Sequence, residues 1–371
     1  MKRLSIVASA FFLLQIHGQV NADNLSDALS ILPATIFTAP NTSPDSAVFV
    51  DVEVLLNEQK DGSANMGRRI ALSNGHRTLQ AYFMRPDAWS QHTGIGIERV
   101  RFLAGTTGQS GTASTVSALG LSAGTTEELM ARLSKVGFTP LVSPKGYWAN
   151  GEPEELHLNK IDLNNPWLGD VGMTSVVTAH KNTFFQSASP AHIESFITGK
   201  RADATPAGRL FAESFEHAPW KPLQALFFSP SVGIADSGID PASVLIGESL
   251  TDTKALLEKQ INEPVVGVPL YQGGMIADIA GTDAPSVVML LAYPDCKTAT
   301  EAVGKAVALW PKFKGEKVSG QTIKGEHDEC AAVITASNDA TNSDDDRPFR
   351  NTMGAMIRRE FHAWRIGAQI R

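Results

Sequence analysis

The sequence has few of the features that mark redox, haem, nucleotide or nucleic-acid proteins. Among its 371 residues are only two cysteines, which form neither a C-x-x-C pair nor a C-x-x-C-H haem-attachment site. The glycine-rich stretch 105–111 lacks the lysine that completes a G-x-x-x-x-G-K-[ST] phosphate loop. The formal net charge is -7, so the chain also lacks the positive charge that nucleic-acid binding requires. We therefore expect no nucleic-acid partner and no cofactor.

Long apolar runs are absent after the N-terminus. No later segment reaches the roughly 18 apolar residues that a transmembrane helix needs, so we expect no membrane span in the mature chain. The first 22 residues are typical of a signal peptide, with Lys2 and Arg3 in a basic start, an apolar core at 7–16 and a small residue, Ala22, at the cleavage position. The sequence therefore predicts a periplasmic or secreted protein whose mature chain begins at Asp23.

The two cysteines are expected to form a disulfide bond. An oxidising compartment favours pairing of Cys296 with Cys330, which closes a loop of about 35 residues. The alternative is a metal site with Cys296, His327 and Cys330 as ligands, because the acidic segment around His327 runs directly into Cys330. The sequence favours the disulfide over the metal site.

The clearest secondary-structure pattern lies in the C-terminal half. The segment 286–293 has eight residues without a charge, which is typical of a strand buried on both faces. The next helix is predicted to begin at Thr298, where Glu301 completes a capping box, and to end at Pro311. A second apolar strand then begins at Cys330.

The N-terminal half has a similar order of predicted elements. A strand at 99–104 precedes an amphipathic helix at 125–136, which ends before Gly137. Strands through residue 188 and a helix at 190–199 follow. We therefore predict an α+β fold of two similar modules, each an antiparallel or mixed β-sheet with helices packed on one face.

The predicted domain boundaries follow from these patterns. About 350 mature residues exceed the size at which a single core stops growing, so two modules are expected. The predicted segments are a signal peptide at 1–22, an N-terminal connecting segment at 23–46, a first α+β module at 47–200, a connecting region at 201–263, and a second α+β module with the disulfide at 264–371.

A G-x-S-x-G match at 120–124 places Ser122 in the pattern of a hydrolase nucleophile. Candidate partners follow downstream in the order acid, then histidine: Asp162 or Asp170, and His180, His192 or His217. Two features oppose this interpretation. The helix is predicted to begin only at Thr125 or Thr126, which leaves Ser122 in a loop, and the stretch 112–119 is not typical of a buried strand.

The favoured function is therefore that of an exported, non-catalytic protein that binds a small molecule or a protein partner in the cell envelope. The hypothesis rests on two well-formed core patterns together with no ordered catalytic constellation and no metal-ligand spacing. The alternative is a serine hydrolase that uses Ser122, with His180 as the candidate base.

The exported protein should begin at Asp23. Cleavage after Ala22 follows from the small residues at that position, and the intact mass of protein recovered from the envelope fraction measures it directly. Ala22→Trp, which places a bulky residue at the cleavage position, should leave the leader attached. A mass that matches the full 371 residues for the unmodified chain would contradict the prediction.

Overall fold

The fold is an α+β arrangement built on one large antiparallel sheet. The computed structural model describes residues 24–38, 46–59, 86–107, 115–157, 162, 165–168, 172–216, 218, 220–236, 266–280, 284–338 and 348–367. Its strands are β1 (Ser46–Asp51), β2 (Val100–Thr107), β3 (Val116–Leu121), β4 (Thr139–Pro140), β5 (Trp148–Ala149), β6 (Val176–His180), β7 (Thr183–Ser187), β8 (Lys221–Phe228), β9 (Gly273–Ala280), β10 (Ser286–Tyr293), β11 (Glu316–Lys324) and β12 (Cys330–Asn338).

These strands form a single 12-stranded sheet with the order β11-β12-β10-β9-β8-β1-β2-β3-β7-β6-β5-β4. Neighbouring strands pair antiparallel throughout, and β1 pairs with β8 at the middle of the sheet. The expected antiparallel sheet and α+β class are therefore confirmed. The strands of both halves belong to one continuous sheet.

Helices cover the sheet. Within the described residues they are α1 (Asn24–Ile31), α2 (Thr35–Thr38), α3 (Val52–Gln59), α4 (Pro86–Thr93), α5 (Thr125–Arg132), α6 (Pro190–Thr198), α7 (Pro206–Glu216), α8 (Pro230–Asp236), α9 (Cys296–Leu309) and α10 (Pro348–Ile357). No helix in the described part of the chain is both long enough and apolar enough to cross a membrane.

Both faces of the sheet are buried, because alternate residues of β10 enter different apolar clusters. Val288 and Leu290 belong to a cluster that extends across both halves of the sheet and takes in α1, α6 and α7, termed the shared cluster. Val287 and Met289 belong to a cluster with α9 and α10 on the opposite face. On that face, α3 and α5 cover the N-terminal half of the sheet. The prediction of helices on one face only is therefore corrected.

The predicted strand at 286–293 is confirmed as β10, and all eight of its residues are buried. The reason is physical: successive side chains point to opposite faces, so a strand covered on both sides carries a continuous apolar run. The amphipathic helix at 125–136 is confirmed as α5 followed by a 3-10 turn over Leu133–Val136, after which Gly137 adopts a left-handed conformation with φ 91°.

The start of α9 differs from the prediction. The helix begins at Cys296, and its N-cap is Asp295 rather than Thr298. The Asp295 carboxylate accepts hydrogen bonds from the Thr298 backbone N–H at 2.8 Å and from the Thr298 hydroxyl at 2.8 Å. These hydrogen bonds lower the pKa of Asp295. An aspartate satisfies the free N–H groups of a helix start and also complements the helix dipole, so it replaces the predicted capping box.

Four strands lie outside the sequence prediction. The stretch 112–119, interpreted as a poor buried strand, contributes most of β3, whose six residues are all buried. The expected connection at 201–263 contains α7 and β8, and β8 lies at the centre of the sheet. The other two are β9 and the polar β11, which forms one edge of the described sheet.

The predicted disulfide between Cys296 and Cys330 is confirmed, with 4.9 Å between the two Cα atoms. It joins the first residue of α9 to the first residue of β12. The thiolates of the alternative metal site are therefore consumed by the disulfide.

Replacement of both cysteines by alanine should lower the free energy of unfolding by up to about 4 kcal/mol, because the unfolded chain regains the entropy of a loop of about 35 residues. Urea denaturation of wild type and double variant measures the difference. Gly304→Ala in α9 is a suitable control, since an added Cβ there has no atom within 4 Å. That control should stabilise the helix by about 0.5–1 kcal/mol. Equal midpoints for wild type and double variant would contradict the assigned role of the disulfide.

Candidate functional site

The candidate site is a half-open cavity between α7 and the β11–β12 hairpin. Its volume is about 320 Å³, and its walls combine apolar and polar side chains. Leu210, Ile323 and the ring of Trp220 form apolar surface, while Glu213 and Gln321 offer carboxylate and amide groups. Ligand sites combine apolar surface with convergent polar groups, and this cavity offers both in similar measure.

Helix α7 is held over the sheet by its sequence pattern. The hydroxyl of Thr205 accepts a hydrogen bond from the N–H of Gly208 at 3.0 Å, and Pro206 occupies the first helical position. Leu210 and Phe211 point into the shared cluster, and the helix packs against β9, β10 and β12. This packing directs Glu213 towards the hairpin.

The hairpin loop at 325–329 is fixed against α7 by several contacts. The N–H of Gly325 donates to the carbonyl of Glu329 at 3.0 Å and closes the loop. Arg209 pairs with Glu329 at 3.1 Å, and the N–H of Glu326 donates to Oε2 of Glu213 at 3.0 Å. A Cβ on Gly325 would lie 2.8 Å from Cδ1 of Leu210 and 2.9 Å from Oε2 of Glu213, so a larger residue here would displace these side chains.

Three possible metal ligands meet at the mouth of the cavity. Each of Glu213, Glu326 and His327 offers one ligand atom, and these atoms lie within 4.8 Å of one another. Glu213 is half-buried, whereas Glu326 and His327 are exposed. Nitrogen and carboxylate oxygen are ordinary ligands of Zn²⁺ and other first-row metals.

The sequence identified only part of this set. His327 appears in the metal alternative, but its partners there, Cys296 and Cys330, are joined to each other. Sequence reasoning missed Glu213, which lies 113 residues before Glu326 along the chain. The only local signal is an acidic residue on the flank of an amphipathic helix, which is normally a solvated position.

A second cavity of about 470 Å³ lies along α10. All of its lining residues except Phe313 come from residues 350–358, and Ile357 keeps 77% of its surface exposed. Because one helical segment supplies nearly all of this surface, it lacks polar groups that converge from separate elements. The smaller cavity at α7 is the better candidate for that reason.

Ser122 follows β3 directly, and α5 begins three residues later. The left-handed residue of this turn is Gly124, with φ 75°, and Ser122 is not among the positive-φ residues of the described chain. Its backbone N–H donates to Arg99 at 2.9 Å, and its carbonyl accepts from Thr125 at 3.1 Å. The strand-turn-helix context is therefore present, but the turn is relaxed at Ser122, unlike the strained turn of a nucleophile elbow.

The structure does not bring Ser122 and His180 into contact. Thr183 of β7 pairs with Gly120 on one side and with His180 on the other. Strand β7 thus lies between the two candidates, and two strand spacings separate their backbones by about 10 Å. No hydrogen bond joins Ser122 to a histidine within the described residues.

The remaining hydrolase candidates differ in their surroundings. Asp162 is exposed, and His192 is half-buried on α6. Nδ1 of His192 has no hydrogen-bond partner in the structure. Asp170 and His217 lie outside the described residues. The use of Ser122 as a nucleophile therefore remains a prediction without a located base.

A separate buried cluster contains the most perturbed carboxylate near neutral pH. Asp51 is 5% exposed, and it accepts hydrogen bonds from Nδ2 of Asn24 at 3.1 Å and from the N–H of Val54 at 2.9 Å. Burial raises the pKa of Asp51 to about 6, against the opposing effect of these hydrogen bonds. Arg101 completes the cluster through a 2.8 Å hydrogen bond to Oδ1 of Asn24. Neither cavity described above includes this cluster, so we assign it to stability.

Comparison of the chain with models of protein families, with curated proteins and with solved structures finds no match at the threshold applied to each. The function is therefore argued from the geometry of the cavity.

The stability of the protein should fall as the pH rises through the pKa of Asp51. Because folding raises the pKa from 3.8 to about 6, the folded state binds this proton more tightly. The stabilisation that protonated Asp51 contributes is complete below pH 3.8 and is lost as the pH rises through about 6. The free energy of unfolding should change by about 3 kcal/mol over this range.

Urea denaturation of Asp51→Asn between pH 4 and pH 8 tests this assignment, because the amide cannot titrate. The variant should lack this part of the pH dependence and should exceed wild type in stability above pH 7. Asp87→Asn, at an exposed position of α4, is the control. Parallel pH profiles for wild type and Asp51→Asn would show that the pKa of Asp51 does not change on folding.

Proposed function

We propose that this chain is exported to the cell envelope, where it binds a small molecule in the cavity between α7 and the β11–β12 hairpin without a catalytic role. The observation that carries the proposal is the cavity of about 320 Å³, whose apolar walls and polar groups converge from two separate elements. Its volume lies at the lower end of the range of about 300–1,000 Å³ for ligand sites. A compact ligand of metabolite size fits this space.

The lining groups indicate what such a ligand offers. Trp220 supplies an aromatic face, and its orientation is supported by an edge-to-face contact with Phe215 at a centroid distance of 4.9 Å. The Gln321 amide can both donate and accept hydrogen bonds. Glu213 and Lys324 place opposite charges on the rim. The ligand is therefore expected to carry an apolar part and at least one polar or charged group.

Export is supported by the disulfide. Disulfides persist in oxidising compartments and are rare in the cytosol, and the pair joins the helix and strand next to the cavity. We propose that the first 22 residues direct this export and are removed. The net charge of -7 agrees with a partner other than nucleic acid.

We also propose that the fold arose from two similar α+β modules, one before and one after the junction between α6 and α7. The order β1-β2-β3-β7-β6 outward from the centre of the sheet corresponds to β8-β9-β10-β12-β11 in the other half. Helices α5 and α9 follow equivalent strands. The last helices differ, since α6 packs in the shared cluster and α10 packs on the opposite face.

Native mass spectrometry of the protein purified gently from the envelope tests the binding function. The wild type should retain a noncovalent adduct, which Ala218→Trp should abolish by filling the cavity. Gln321→Leu should weaken retention about tenfold, the effect of losing one hydrogen bond. Ser319→Leu is the matched control, because Ser319 is exposed on the same strand and does not line the cavity.

A bare mass for wild type, together with an unchanged melting temperature in a panel of small amines, amino acids and carboxylates, would contradict the binding function. An organic adduct that survives Ala218→Trp would place the binding site elsewhere in the chain. Each variant is first checked for a wild-type urea midpoint, so that loss of the adduct reports on the cavity.

A further inference from the structure

We propose that Glu213, Glu326 and His327 bind one divalent first-row transition metal ion, such as Zn²⁺, at the mouth of the cavity. The three ligand atoms lie within 4.8 Å of one another. In a tetrahedral site with bonds of about 2.0–2.2 Å, ligand atoms lie about 3.3–3.6 Å apart. The proposal requires the exposed side chains of Glu326 and His327 to rotate and close this difference when the ion binds.

The identity of the donors selects the class of metal. An imidazole nitrogen is a good ligand for Zn²⁺, Ni²⁺, Cu²⁺ and Fe²⁺, whereas Ca²⁺ and Mg²⁺ prefer sites built entirely of oxygen. Two carboxylates and one imidazole therefore favour a transition metal over an alkaline-earth ion. The order of stability among divalent metals places Zn²⁺ above Mn²⁺ and Fe²⁺ but below Cu²⁺ at such a site, so the donors select the class of metal and not one ion.

The negative charges of Glu213 and Glu326 also favour a bound cation. In the described part of the chain, neither Glu213 nor Glu326 forms an ion pair with a lysine or arginine. The basic residues of α7 and β11 described above have other partners, since Arg209 pairs with Glu329 at 3.1 Å and Lys324 lies 3.9 Å from Asp328. Two carboxylates at short distance repel each other, and a bound divalent ion reverses that interaction.

The ligands are held by elements that are fixed before any metal binds. The disulfide holds the β11–β12 hairpin at the C-terminal end of its loop, and the 3.0 Å hydrogen bond from Gly325 to Glu329 closes the loop that carries Glu326 and His327. Oε2 of Glu213 already accepts the N–H of Glu326, which orients the carboxylate and leaves its second oxygen for the ion. Preorganisation of this kind lowers the cost of binding.

Three protein ligands leave a coordination position open, as in zinc sites that accept an exogenous ligand. Because Glu213 and Glu326 also line the cavity, that position faces the space proposed for the small molecule. This step rests on the proposed function. We infer that the organic ligand carries an anionic donor, such as a carboxylate, which completes the coordination of the metal. Without the metal, the same acidic mouth would favour an amine.

Isothermal titration of ZnCl₂ into the untagged, EDTA-treated mature protein tests the metal site. One equivalent should bind, and Co²⁺ should give the visible absorption of a bound, low-symmetry ion. Glu326→Gln and His327→Ala should each weaken binding at least about 100-fold, because loss of even an outer-shell partner costs about 10- to 100-fold. Ca²⁺ and Mg²⁺ at equal concentration should not compete.

The controls separate a built site from general attraction to acidic surface. Asp328→Asn removes one negative charge from the same loop but no proposed ligand, and His180→Ala removes an exposed histidine elsewhere. Both should bind Zn²⁺ as wild type does. The inference is overturned if wild type does not bind Zn²⁺, or if Glu326→Gln and His327→Ala bind it as tightly as these controls.

The same variants distinguish failure of this inference from failure of the proposed function. Ala218→Trp and Gln321→Leu keep all three metal ligands, so both should retain Zn²⁺ affinity. Ala218→Trp should lose the organic adduct, and Gln321→Leu should hold it about tenfold more weakly. An adduct that persists while Zn²⁺ fails to bind would remove the metal and leave the small-molecule site. Zn²⁺ binding together with stronger retention of amines than of carboxylates would overturn the anionic-ligand inference.

Discussion

Burial of both faces of the central strands is the constraint on which the rest of the structure depends. A strand of this kind favours apolar residues at successive positions, and β10 has them from Val287 onwards. All six residues of β3 are buried as well, although Ser117 is polar. Such a strand also needs helices on both sides. Because β1 and β8 pair at the centre, the two halves share one sheet and one continuous apolar cluster. The position of α7, and therefore of the cavity, follows from this arrangement.

The sequence predicts those parts of the fold for which the residues of one short segment, without its neighbours in space, indicate the structure. β10 has an uninterrupted apolar run, α5 has a clear helical period, and the two cysteines have one possible partner each. The strands that escape prediction depend on neighbours distant in sequence. β11 is polar along its length and exists as a strand because it pairs with β12 at the edge of the sheet. β8 is recognisable only once β1 and β9 are placed beside it.

The candidate site shows the same division. His327 and its acidic neighbours form a local pattern that suggests metal binding, and the sequence correctly identifies the cysteine pair that competes with it. The third proposed ligand cannot be recognised from a local pattern, because Glu213 belongs to a helix whose register relative to the hairpin is set by the shared cluster. Contacts between distant elements come from packing, which a single sequence does not encode in any short motif.

The position of the disulfide connects the fold to the proposed export. Cys330 is the first residue of β12 and directly follows the loop that carries Glu326 and His327, so the bond to Cys296 anchors one end of that loop to α9. The opposite side of the loop is held by Arg209 and Glu213 of α7. In a reducing compartment only the second anchor would remain. A site whose ligands are ordered by both anchors is therefore best suited to an oxidising environment, and the same bond that stabilises the C-terminal half also orders the mouth of the cavity.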